Sequence, residues 1–396
     1  MVPPGSVVYL DHAATTPMHP AAVEALAAEA ARVGNPSSLH DAGRAARRVV
    51  EESREVLATR LGARPSEVVL TGGGTEADNL AVKGVFWSRA AADDRRRRVL
   101  VSAVEHHAVL DAAAWLGAAQ GAEVVVLPVD GVGRVRLDAL EAELAAHGDK
   151  TALVSVMWAN NEVGTVQPLP EVVELAHRYG VPVHADAVQA VGQLDVDFAA
   201  SGLDAMTVTA HKVGGPVGVG ALVARRDLAL TPLLHGGGQE RAVRSGTLAA
   251  ALVRSFAVAV DAAVGDRAEH ALRVGALRDA LVVGVQALAP DAVVRGPWPG
   301  GQGRLPGNAS VSFPGCDSES LLLLLDERGI AASAGSACQA GVTQLSHVLV
   351  AMGLTDAEAR GTLRFSLGRT STAADVDAVL AVLPDVLERA RAAGAV

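Results

Sequence analysis

The chain has 396 residues, half of them hydrophobic, which supplies apolar surface for a large core and excludes a disordered chain. Its formal net charge of −10 speaks against general affinity for nucleic acid or anionic membrane, because both need clustered Lys and Arg. With 3% aromatic residues and 41 glycines, the composition suits helices packed on aliphatic strands joined by tight turns, so the expectation is an α/β protein.

Met1 to Asp11 has neither a basic leader nor a long apolar stretch, and no apolar run reaches the ~18 residues of a membrane span, so a cytoplasmic protein is expected. From residue 67 short β-branched runs alternate with longer helical patterns. The runs are Val68–Leu70, Val99–Val101, Val124–Leu127, Leu153–Trp158, Val181–Ala185 and Met206–Thr209, and they predict buried parallel strands. Between them Ala108–Gln120, Leu137–Ala146 and Leu169–Tyr179 are long enough for crossover helices. Arg95–Arg98, behind Asp93 and Asp94, is read as a solvated helix-to-strand loop rather than a nucleic-acid patch. After residue 250 a helical stretch, Leu248–Ala263, and a Gly/Pro-rich loop from Arg295 change the rhythm and predict a second domain. The expected division is 15–255 as the large domain and 1–14 with 256–396 as the small one.

Several strand ends carry chemistry. Thr71-Gly-Gly-Gly-Thr-Glu-Ala-Asp reads as a glycine turn into a helix opened by Thr75, with Asp78 three residues on; backbone N–H groups and the helix dipole there suit phosphate, though Gly and Thr also serve such turns for conformational reasons alone. Asp186 ends a strand with Gln189 just beyond, placed either to hold a cofactor nitrogen protonated or to cap the next helix. His211 and Lys212 close another strand; a partly desolvated amine can condense with an aldehyde, whereas a surface lysine would merely snorkel. His106, after Val99–Val101, can face the same crevice, stack on a flat ring and move protons. Of two cysteines, too few for a disulfide framework, Cys338 lies among small residues and needs a base or cation nearby to act as a nucleophile, while Cys316 reads as structural.

In this order the segments resemble the cysteine desulfurases of the class-V aminotransferase group, fold-type I pyridoxal phosphate (PLP) enzymes. The resemblance runs from Tyr9-Leu-Asp-His-Ala-Ala-Thr-Thr-Pro through Gly34-Asn-Pro-Ser-Ser-Leu-His, the Thr71 glycine turn, Asn160-Asn-Glu-Val-Gly, the Asp186/Gln189 pair and His211-Lys212. It continues through Gly236-Gly-Gly-Gln-Glu, Arg244-Ser-Gly-Thr and Gly335-Ser-Ala-Cys to Leu363-Arg-Phe-Ser-Leu-Gly-Arg. It implies a fold-type I transferase with a mostly parallel sheet wrapped by helices in the large domain and a smaller C-terminal α/β domain.

Carried over by position, the resemblance implies that Lys212 holds the cofactor covalently, Asp186 pairs with the pyridine nitrogen and His106 stacks on the ring. Asn161 and Gln189 would bind the phenolic oxygen. Gly74, Thr75, Thr209 and His211 would bind the phosphate, with Thr247 contributed by the other subunit of a homodimer. Thr209 stands where serine is common, and the hydroxyl is kept. Arg364, with Asn35, would hold the substrate carboxylate. The implied reaction takes sulfur from L-cysteine onto Cys338 and leaves alanine, with His106 as acid/base near the sulfur. The sulfur would pass to an acceptor protein, an iron–sulfur scaffold or a thiolation enzyme. No resident metal is expected, and Cys338 is the residue that would touch a nascent iron–sulfur cluster. The chain stops soon after the Arg364 motif, without the longer tail that docks a scaffold in some relatives, so the acceptor is left open. The alternatives are a selenocysteine lyase, an aminotransferase, which Cys338 speaks against, and a non-catalytic PLP-binding assembly partner. A Rossmann dehydrogenase is rejected, because no GxGxxG follows the first strand.

Overall fold

Aliphatic runs that end in glycine or polar turns become strands, and the Ala- and Leu-rich stretches between them become helices. The computed structural model describes residues 7–298, 303–334 and 345–394. After β1 (Val8–Tyr9) come α1 (Pro20–Ala30) and α2 (Asp41–Arg60). The alternating region follows as β2 (Val68–Thr71), α3 (Gly74–Ala92), β3 (Arg98–Ser102), α4 (His107–Gln120), β4 (Glu123–Leu127), α5 (Leu137–His147) and β5 (Thr151–Ser155). It continues with α6 (Leu169–Arg178), β6 (Val183–Asp186), α7 (Phe198–Ser201), β7 (Ala205–Thr209) and β8 (Gly220–Ala224). The C-terminal part holds α8 (Ala250–Gly265), α9 (Arg267–Leu288), β9 (Val293–Arg295), β10 (Asn308–Ser312), α10 (Ser318–Asp326), β11 (Ile330–Ala331), α11 (His347–Ala351), α12 (Asp356–Arg360), β12 (Thr362–Ser366) and α13 (Ala373–Gly394).

The main sheet has the order β2-β8-β7-β6-β5-β3-β4, parallel except for β8, which runs antiparallel to both of its neighbours. Apolar residues of α3 and α4 cover one face with Val99, Val101 and Leu153, and α2, α6 and α8 cover the other. A doubly covered sheet explains why its inner strands read as continuous apolar runs, whereas β4, expected to be buried, is an edge strand with Val126 54% exposed. A separate buried cluster joins α9, α10 and α13 to β10 and β12, and takes in Val8 and Leu10 from the start of the chain. The reason is pairing: β1 lies parallel to β11, and Asp11 bridges Ser366 at the end of β12.

Three further local expectations change. The run Leu153–Trp158 is strand only to Ser155, since the chain turns at Asn160, whose Oδ1 accepts the Glu162 and Val163 N–H groups. Arg98 is not in a solvated loop but buried in β3, ion-paired with Glu123 and Glu143, while Arg95 pairs with Asp93. Arg95 to Arg97 lie in the loop between α3 and β3 as expected, with Arg95 and Arg97 exposed. Finally, α3 starts at Gly74, with Gly73 rather than Thr75 at its N-cap position, and Asp78 points into the protein instead of closing a capping box.

Candidate active site

The carboxyl ends of β2, β3, β5, β6 and β7 meet on one edge of the sheet, and each is followed by a site residue. Gly73, at the end of β2, has φ 152°, a conformation natural to glycine, and no side chain caps the helix behind it. The backbone here is also pressed close to β8: a Cβ on Gly220 would lie 2.8 Å from the carbonyl carbon of Gly73. A Cβ on Gly74 would lie 3.3 Å from Val188 and 3.6 Å from Thr209, so these three line one wall. The result is a 19-residue helix whose first-turn N–H groups take no side-chain cap among the described residues and point where an anion can meet them.

Lys212 follows β7 on a single turn of 3-10 helix, and its Nζ donates to the carbonyls of Ala13 and, at 2.7 Å, Ala14. Desolvation, and then the positive charge of Arg364, push its pKa down to about 8, against the opposing pull of Asp186 and Asp11. Asp186 is 5% exposed, and one carboxylate oxygen accepts the Val188 N–H at 2.8 Å. Burial raises its pKa, while His106, the Val188 bond and Lys212 resist the rise. His106 caps α4, its Nδ1 accepting from the Ala108 N–H at 3.1 Å, and stands exposed at the mouth of the crevice. Desolvation by the surrounding wall lowers its pKa, Asp186 opposes, and Lys212 adds to the lowering.

The N-terminal segment ties the remaining groups to this centre. Gln189 Nε2 donates to Ala13 O at 3.0 Å, the same carbonyl that Lys212 uses. His211 Nδ1 lies 3.3 Å from Thr15 Oγ1, and burial holds its pKa down at about 4. Arg364, on β12, donates to Asp11 Oδ1 at 2.7 Å and to the Asn161 carbonyl at 3.2 Å, and its buried Nε has no partner among the described residues. A guanidinium with an unused donor beside the lysine is equipped for a carboxylate. A cavity of about 330 Å³ abuts Lys212 and Gln189 and runs past His12, His270 and Asn308. Asp186 and His106 do not line this cavity.

Of the expected residues, Gly74, Thr75, His106, Asn161, Asp186, Gln189, Thr209, His211, Lys212 and Arg364 thus gather around the sheet edge or the segment bound to it, Thr75 exposed in the first turn of α3. Asn35 and Thr247 do not join them. Both are exposed, Asn35 accepting from the Ser37 N–H in the turn before α2, and among the described residues no hydrogen bond links either to the Lys212 group. Cys338 lies outside the described residues. Cys316 is buried, with its thiol pKa raised by that burial.

Other residues with a part in this geometry lie within the quoted motifs but have no site role by sequence. Asp11 pairs with Arg364 across 353 positions, and Ala13 and Ala14 act through their carbonyls. Glu240 takes both Arg54 nitrogens at 2.7 Å and the Leu70 N–H, which fastens the Gly236–Glu240 loop to α2 and β2. Arg244 then reaches Glu76 in the first turn of α3. The Gly236–Glu240 and Arg244-Ser-Gly-Thr motifs are the hint the sequence offers, but they do not give the partners.

A phosphate-bearing aldehyde with a basic ring nitrogen fits this arrangement: an uncapped helix end for its phosphate, a lysine with a depressed pKa for its aldehyde and a buried carboxylate for its nitrogen. The comparisons agree with that chemistry. Residues 8–379 match the aminotransferase class-V family, which is PLP-dependent. The chain is 56% identical over 390 residues to an IscS-like cysteine desulfurase of Mycobacterium tuberculosis, covering 98% of each protein. Among solved structures it is similar to a NifS-like protein at a TM-score of 0.88 and 35% identity, over 97% of this chain and 100% of that one. A structure described as SspA in complex with cysteine matches at a TM-score of 0.77 and 31% identity, over 92% of this chain and 99% of that one. The chain therefore belongs to the aminotransferase class-V family, in its group of cysteine desulfurases.

Proposed function

We propose that this chain takes sulfur from L-cysteine, yielding L-alanine and a persulfide on Cys338, with PLP as cofactor. The observation that carries the proposal is the meeting of Lys212, Asp186 and His106 beside an uncapped helix end. When bound, PLP supplies an electron sink for negative charge at the substrate Cα. Gly74, Thr75, Thr209 and His211 hold its phosphate, helped by Thr247 from a second copy, so the working form is a homodimer. Asp186 holds the ring nitrogen, Asn161 and Gln189 the phenolic oxygen, and His106 covers the ring face. Arg364 and Asn35 orient the substrate carboxylate.

Lys212 is the covalent anchor and, once released, the base that takes the Cα proton; a pKa near 8 leaves it partly neutral at neutral pH. The Cys338 thiolate attacks the substrate sulfur. The sulfur–carbon bond breaks with its electrons left on the carbon skeleton, which takes up protons and leaves as alanine, and His106 manages the proton at the sulfur. The persulfide passes to an acceptor protein, an iron–sulfur scaffold or a thiolation enzyme, in the cytoplasm. We read 15–255 as the cofactor-binding domain and 1–14 with 256–396 as the smaller one; the pairing of β1 with β11 supports the assignment of the N-terminal segment.

The test is release of sulfide and alanine from cysteine with a reductant present, for wild type and Cys338→Ala. Equal amounts from wild type and none from the variant, with the absorption band of the lysine-bound cofactor retained in both, are expected. That band without sulfide from wild type would sink the proposal.

A further inference from the structure

Behind Asp186 the sheet carries a polar stripe where its neighbours are aliphatic. Asp186 pairs in register with Thr207, and His184, two residues before Asp186 on the same face of β6, pairs with Ser155. His184 Nδ1 lies 2.9 Å from Ser155 Oγ, and its Nε2 lies 3.0 Å from Thr207 Oγ1. Asp78, from α3, lies over this stripe with its Oδ1 3.7 Å from His184 Nε2 and beside the Thr207 hydroxyl. All four side chains are essentially inaccessible to solvent.

We propose that Asp78 is the proton-bearing partner of Asp186: it stays a neutral acid so that the buried charge beneath the cofactor nitrogen rests on Asp186 alone. The inference rests on the cofactor assignment made above and deepens it.

The two carboxyls have unlike company. Asp186 is faced by His106 and Lys212 and accepts a backbone N–H. The charged neighbours of Asp78 are Asp186 and Glu105, both acidic, and among the described residues its Oδ1 has no hydrogen-bond partner. An ionised Asp78 would be an unpaired charge in a dry site, next to a second one. Burial, followed by the Asp186 charge, accordingly raises the Asp78 pKa well above the ordinary range. His184 offers no compensating cation, since burial drops its pKa to about 3. A neutral Asp78 also gives the stripe a consistent polarity: its O–H donates toward Thr207, Thr207 donates to His184 Nε2, and His184 Nδ1–H donates to Ser155 Oγ. Asp78 thereby acts through Asp186 as a positioning residue.

Infrared spectroscopy of the holoenzyme at neutral pH reads the proton directly. Wild type should show the carbonyl stretch of a protonated carboxylic acid, moved by exchange into D2O and missing from Asp78→Asn. The amide, neutral and able to donate to Thr207, should keep the cofactor release rate within about twofold of wild type, whereas Asp78→Ala should speed release about tenfold, the worth of one buried hydrogen bond. Labelling aspartate carboxyls with carbon-13 in wild type needs no variant: the band moves if it belongs to an aspartate and stays if it belongs to Glu105. A missing band, an unlabelled band or a band that survives in Asp78→Asn overturns the proposal. The proton reading does not depend on turnover, so a failed sulfide assay beside a labelled, Asp78-dependent band would count against the reaction and not against this assignment.

Discussion

Lys212 shows how one side chain acquires its chemistry from surroundings that its sequence neighbours do not describe. A surface lysine is nearly all charged at neutral pH, whereas a pKa of about 8 leaves about a tenth of it as free amine at pH 7. Capture of the cofactor aldehyde by apoprotein should therefore quicken with pH and level off above about 8. Stopped-flow absorbance would follow the band of the lysine-bound cofactor; a rate still climbing near the ordinary lysine pKa would refute the depression. Arg364→Ala removes a positive neighbour and frees Asp11, so both changes should shift that profile to higher pH.

Among the elements, the loop that carries Gly236–Glu240 depends on a single buried carboxylate. Arg54 on α2 grips Glu240 with two nitrogens, and both side chains are nearly inaccessible, 10% and 2% exposed. Breaking such a pair leaves the buried Arg54 guanidinium with only the half-exposed Glu51 as an ionic partner. Glu240→Gln should cost about 3 kcal/mol in chemical denaturation, and Glu240→Gln with Arg54→Met should recover part of it. It should also loosen Arg244 from Glu76 at the start of α3, and with it the phosphate end of the crevice. The motif around Glu240 was readable in the sequence, but α2 was not an expected partner: charged through Glu51, Glu52 and Glu55, it gives little apolar signal of its own. Likewise β8 was not called as a strand, because its glycine-rich approach looks like loop. Its place beside β2 depends on Gly220, where only the lack of a side chain lets the Gly73 turn approach.

For the whole molecule, the buried polar stripe makes stability depend on pH. His184 has its pKa lowered to about 3 by burial, so it is neutral when folded but takes a proton near pH 6.5 when unfolded. A depressed folded-state value means that its contribution is intact above about 6.5 and is lost on acidification below it. Asp78 and Glu105, raised by burial, act in the opposite sense over part of this range, so the clean observable is a difference. The destabilisation caused by His184→Gln should shrink by about 2 kcal/mol between about pH 7.5 and about pH 5, measured by denaturant unfolding. An unchanged difference would mean that His184 takes up its proton as readily in the folded protein as in the unfolded chain. By itself, the sequence determined the alternating strands, the glycine turn and the residues at the strand ends, because a strand, its turn and the next helix are set by neighbours a few positions apart. Tertiary structure alone decided that Asp11 holds Arg364, that Ala13 and Ala14 receive Lys212, and that Asp78 stands behind Asp186. Those contacts span dozens to hundreds of residues and draw on burial and unpaired charge, which exist only once the chain has folded around them.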